Sequence, residues 1–220
     1  MRRLDAHRVW LGYQGVEAFA FSLGWTVAAV FFVRELGLSP LQLVLVGTVM
    51  EVAYFLFEVP TGIVADIYSR RTSVIIGVVG LGLAFAWTGL AGGVVGVLAA
   101  AALMGFAWTF KSGAADAWLA DEVGLDAVGG AYQRGAQSAR IGALLGIGTA
   151  VGLALVDLRL PIVAGGLVLV VLGVALALVM PERGFAPVER DGLGAFRSMA
   201  RTGPDEAVLG LPADLPPLGR

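Results

Sequence analysis

Two acidic residues stand where a bilayer-spanning segment makes them expensive. Glu17 lies about nine residues into the first long apolar stretch, roughly 13 Å deep at the helical rise, and Glu51 lies about eleven residues into the second, roughly 16 Å deep. An ionised Asp at mid-membrane costs roughly 2.5–3.5 kcal/mol on insertion scales, and ionisable residues there mark ion or substrate pathways. Desolvation favours the neutral form of a buried carboxylate, so reversible proton binding is the chemistry to expect of such a group. Helical spacing puts Gln14, Glu17, Phe21 and Gly24 on one face, and Gly47, Glu51, Tyr54 and Glu58 on one face of the next stretch. Each face mixes polar, aromatic and small residues, as a water-accessible cavity requires. Glu58, nearer the end of its stretch, reads as structural. Arg140, with Gln137 one turn before it, is placed to meet an anionic group or to reach the headgroups on its long stem.

A second constellation is Glu58-Val-Pro-Thr-Gly-Ile-Val-Ala-Asp-Ile-Tyr-Ser-Arg-Arg71. Gly62 admits a neighbouring helix at close range. Asp66 follows four residues later and can pair with Arg70 or Arg71, or face a helix N-terminus, where a carboxylate is favoured. Such contacts can break and reform as two helical bodies rock. A third stretch, Phe106 to Asp121, carries Lys111 before Ser112-Gly113 and closes on Asp121. Lys111 can alternatively snorkel to the interface.

The elements that must carry these residues follow from composition. Of 220 residues, 58% are hydrophobic and 15% charged, against about 45–50% and about 25% in soluble domains. Mean hydropathy is +0.84. That excludes a disordered chain, a nucleic-acid binder and an ordinary soluble enzyme. A span needs about 20 apolar residues. Six such spans are expected, over about Val9–Val33, Pro40–Val64, Thr72–Leu90, Val94–Ala120, Tyr132–Val156 and Leu160–Met180. Short links force antiparallel neighbours, hence one all-α integral membrane bundle. The first span is too long for a signal peptide and carries Gln14 and Glu17. All basic residues but Arg34 and Arg159 fall on or towards one side, which predicts both termini, 1–8 and 181–220, to be cytoplasmic in an integral cell membrane protein. The proline-bearing end of 181–220 reads as disordered.

Gly62, Asp66, Arg70 and Arg71, by type, spacing and position after the second span, resemble the motif of the major facilitator superfamily in the loop between helices 2 and 3. The stretch from Lys111 to Asp121 looks like the fourth helix of exporter branches of that family. The resemblance covers about Val9 to Pro181 and implies the N-terminal six-helix half of a transporter, built of two inverted three-helix repeats. It implies that Gly62, Asp66, Arg70, Arg71, Lys111 and Asp121 form a cytoplasmic gate, and that Gln14, Glu17, Glu51, Tyr54 and Arg140 line the path of substrate and protons. The glycines of the fifth span, Gly142, Gly146, Gly148 and Gly152, suit tight helix packing, and the Gly-Pro pair of antiporter branches is missing there.

The expected activity is secondary transport of a small molecule, as proton-coupled export. The alternative is a non-transporting half-size membrane protein, a remnant or a partner subunit. The chain is read as either truncated or a true half-size protein, with a homodimer or a missing C-terminal half supplying the second wall of the path. The expected partners are the lipid bilayer, a small-molecule substrate and protons, with no nucleic acid. There is no cysteine, and no nucleotide-binding loop, metalloprotease signature or nucleophile elbow, so no cofactor, metal or enzymatic activity is expected. The sequence singles out no substrate, because no cation- or anion-selective cluster is visible in it.

Overall fold

Local signals start the helices where the sequence offers a cap. Ser39 and Gln42 form a reciprocal capping box, with Pro40 in the first turn, and Ser69 Oγ accepts from the Thr72 amide at 2.9 Å. In the computed structural model, which describes residues 5–185, the chain forms α1 (Ala6–Arg34), α2 (Pro40–Ile67), α3 (Arg70–Leu90), α4 (Val94–Lys111), α5 (Ala114–Val123), α6 (Leu125–Ala154) and α7 (Arg159–Val179). The tail expected over 181–220 lies, from residue 186 onward, outside the described residues, as do residues 1–4.

Two bounds differ from the sequence reading in ways that matter for the site. The fourth span is not one helix. It breaks after Lys111, where Gly113 has φ +71, a left-handed conformation that glycine adopts without steric cost. The α2–α3 junction is tighter than expected: α2 runs on to Ile67, so Asp66 is helical, and Arg70 is already the first residue of α3. Among the described residues, five stretches are long and apolar enough to cross a membrane: α1, α2, α3, Val94–Val123 and α7. At 30 residues α6 matches them in length, but Gln137, Ser138, Arg140 and its glycines dilute its apolar character.

The extensively packed pairs are α1 with α6 and α7, α3 with α4 and α7, and α2 with α4. Exchanging α1 with α4, α2 with α6 and α3 with α7 maps this set onto itself. The bundle therefore has the two-fold repeat of inverted three-helix units. Close approach at two crossings depends on glycine. A Cβ on Gly142 would run into the Gly15 carbonyl of α1, and one on Gly105 into the Met50 carbonyl of α2. Ser138 Oγ also donates to the Leu11 carbonyl at 2.8 Å, tying α6 to α1. Gly142→Ala is expected to destabilise the bundle by about 1–3 kcal/mol through overpacking. Gly148→Ala, whose Cβ meets nothing, should leave the melting curve of the detergent-solubilised protein unchanged. Equal melting of the two variants would refute this account of the crossing.

Candidate functional site

The interior charge of α1 is paired. Glu17 is 7% exposed, and its Oε1 accepts from Lys111 Nζ at 2.8 Å and from the Tyr13 hydroxyl at 3.2 Å. Tyr13 lies one turn before Glu17, so the same helix face supplies acceptor and donor. Lys111 is the last residue of α4, where the carbonyl ends of the helix favour a cation. Its ammonium also sits 4.3 Å from the Trp108 ring centroid and 5.7 Å from that of Phe21. Both side chains are largely withdrawn from solvent, at 14% and 9% exposure. Pairing, a phenol hydrogen bond and an aromatic face together offset the desolvation of two charges.

Beside this pair opens a cavity of about 440 Å³, lined by Phe21, Trp25, Met50, Glu51, Tyr54, Met104, Gly105 and Trp108. Its aromatic wall is held by edge-to-face contacts: Phe21 with Trp108 at 5.5 Å, Phe21 with Phe85 at 5.1 Å and Trp25 with Phe85 at 5.8 Å. Tyr54 donates to Glu58 Oε1 at 2.7 Å and lies 3.3 Å from Ser112 Oγ, so α2 meets the break after α4 through a hydroxyl pair. Glu51, exposed in this chain, is among the residues that line the cavity, and its side chain has no hydrogen bond or ion pair among the described residues.

A separate polar cluster joins the α2–α3 end of the bundle. Arg70 bonds Asp121 of α5 through Nη1, which also reaches the Ala117 carbonyl at 3.2 Å, while Nη2 is 3.5 Å from Asp66. Arg71 reaches the Ala177 carbonyl of α7. Just beyond α7, Glu182 caps α3: its carboxylate oxygens lie 2.9 Å from Ser69 Oγ, and Oε1 accepts the Arg71 amide at 3.1 Å. Glu122 receives the amides of Arg183 and Gly184, and Trp118 Nε1 donates to the Pro181 carbonyl at 2.7 Å. Glu182→Ala is expected to lower stability by about 1 kcal/mol, the scale of a lost helix cap, or about 2–4 °C in melting temperature. No shift would show the cap to be unused.

The site residues named from the sequence thus divide. Glu17 and Lys111 meet, although one was grouped with the path and the other with the gate. Asp66, Arg70 and Asp121 meet, and Arg71 turns to α7. Glu51 and Tyr54 share the cavity. Gln14 is half-buried on α1, and Arg140 is exposed on α6. A Cβ on Gly62 meets nothing among the described residues. Sequence reasoning missed Tyr13, Trp108, Glu122 and Glu182. The signals for two of them were present: Tyr13 is one turn from Glu17, and Glu182 is the acid immediately after the proline that ends the last span.

A family model described as Major Facilitator Superfamily matches residues 13–210. No curated protein matches the chain.

Proposed function

Because this chain belongs to the major facilitator superfamily, a family of membrane transporters, we propose that it takes part in proton-coupled export of a small molecule, with Glu17 as the proton-binding group. The observation that carries this reading is the buried Glu17–Lys111 pair beside an open cavity. In the paired state the two charges cancel. A proton on Glu17 removes its negative charge and leaves Lys111 as an uncompensated cation, 4.3 and 5.7 Å from two rings of the cavity wall. Proton binding therefore changes the potential that a bound substrate feels. This is the linkage that exchange of a proton for a substrate requires.

The Arg70–Asp121–Asp66 cluster acts as a latch on the cytoplasmic side. Opening it parts α3 from α5, and reforming it closes that end. Gly62 is open for the close approach of a second helical body, which supplies the other wall of the path. That body is either a second copy of this chain or another six-helix half. Gln14, Tyr54 and Arg140 line or flank the path.

The test is reconstitution. Proteoliposomes holding the purified chain and an internal pH dye are given outward gradients of rhodamine 6G, benzoate or glucose, one cationic, one anionic and one neutral. Probe-driven proton movement that Glu17→Gln abolishes is the expected result. Coupling left intact in Glu17→Gln would overturn the assignment of Glu17, and no proton movement with any probe would overturn transport by copies of this chain alone.

A further inference from the structure

We infer that the cavity between α2 and α4 binds a hydrophobic organic monocation, with the Glu51 carboxylate as its counter-charge. This rests on the transport reading above and names its substrate class.

Glu51 is the one charged residue in the cavity lining, and it has no partner among the described residues. Every other acid near the interior is engaged: Glu17 holds Lys111 and the Tyr13 hydroxyl, and Glu58 accepts from Tyr54. The nearby base is engaged too. Lys111 points to Glu17 at 2.8 Å, with the Trp108 ring over its ammonium. In this paired state the cavity therefore presents one net negative charge. An anion entering it would meet Glu51 with no free cation in the lining, among the described residues, to receive it.

A polyhydroxylated neutral molecule fits no better. The lining offers one hydroxyl, that of Tyr54, already shared with Glu58 and Ser112. Glu51 and the indole N–H groups of Trp25 and Trp108 can satisfy only a few substrate hydroxyls, and the rest would go unpaired, which is costly. The rest of the wall is what a large cation prefers. Trp25 supplies an aromatic face with negative potential, fixed by edge-to-face packing on Phe85, beside the Phe21 and Trp108 rings that already meet the Lys111 ammonium. Met50 and Met104 supply polarisable, adaptable surface. The volume, about 440 Å³, lies in the range of small-molecule sites.

The experiment is equilibrium binding to the purified full chain in detergent. It uses radiolabelled tetraphenylphosphonium and its anionic counterpart of matching shape, tetraphenylborate. Saturable tetraphenylphosphonium binding that tetraphenylborate does not displace is expected. Glu51→Gln should weaken it by at least about tenfold, Glu51→Asp should retain it, and Trp25→Leu should weaken it by about threefold. Tetraphenylborate binding equally well, or a monodisperse Glu51→Gln protein with unchanged affinity, overturns the inference. Should Glu51→Gln fail to fold, the unmodified chain still decides. Tetraphenylphosphonium should protect Glu51 from dicyclohexylcarbodiimide, mapped by mass spectrometry, and absence of protection overturns the assignment. Binding without any proton-coupled flux would defeat the transport reading alone. Flux of another probe class without tetraphenylphosphonium binding would defeat this inference alone.

Discussion

Lys111→Met is expected to destabilise the bundle by about 3–5 kcal/mol, because it leaves the Glu17 carboxylate buried without its counter-charge. Glu17→Gln should cost a similar amount, since it strands the Lys111 ammonium against Trp108 and Phe21. The double variant Glu17→Gln/Lys111→Met should recover most of the loss. Desolvation of two charges is then no longer required, and Met fills much of the volume of the lysine stem. Thermal melting in detergent of the four proteins forms a double-mutant cycle, with an expected coupling of about 4–8 kcal/mol, because each single variant strands a buried charge and the double variant strands none. Additive single losses would show that the 2.8 Å contact contributes no coupling. The same cycle bears on mechanism, because the protein in which neither charge exists should fold while losing proton dependence.

The second large effect is expected at the latch. Arg70→Ala removes a charged hydrogen bond to Asp121, a bond to the Ala117 carbonyl and the longer pairing with Asp66. Hydrogen bonds to charged groups contribute about 1.5–3 kcal/mol, so the equilibrium between closed and open forms at the α2–α3 end should shift by about tenfold to a hundredfold towards open. The chain has no cysteine, so a single Met104→Cys places the only thiol in the cavity wall. Its alkylation by a membrane-impermeant maleimide, added from the α2–α3 side, should accelerate by about tenfold or more in the Arg70→Ala background. Arg70→Lys should recover part of the closed population, because lysine keeps the charge but not the planar fork that reaches two acceptors. An unchanged alkylation rate would show that the cluster does not govern access.

Much of the site was legible because its signals are local. Glu17 and Glu51 were identifiable from depth alone, as a carboxylate many residues from either end of an apolar stretch needs a reason to be there. Asp66 was identifiable as a partner for Arg70 or Arg71 because a short link keeps them within reach, and Arg70 Nη2 lies 3.5 Å from Asp66 across the α2–α3 junction. Lys111 was legible as a base within the fourth apolar span, ahead of Ser112-Gly113, but neither the helix end after it nor its partner was. Periodicity gives the face of a helix on which a side chain stands, and nothing in it states which face of another helix comes opposite. Glu182 escaped notice for the same reason. Its significance lies in meeting Ser69 and the Arg71 amide, more than a hundred residues earlier in the chain.

The sequence by itself determined that this is a bilayer protein, where its apolar helices run, and which ionisable residues lie deep within them. These properties are sums over neighbouring residues: hydropathy over a span, charge at its ends, a glycine or proline at its limits. The tertiary structure alone decided that Lys111 faces Glu17, that Arg70 joins Asp66 to Asp121, and that Glu51 lines an aromatic cavity with no partner among the described residues. Those outcomes depend on how far each helix is rotated and how closely it approaches the next. Contacts such as Gly142 against Gly15 and Gly105 against Met50 set that geometry, together with the break at Gly113, which ends α4 with the Lys111 ammonium beside Glu17.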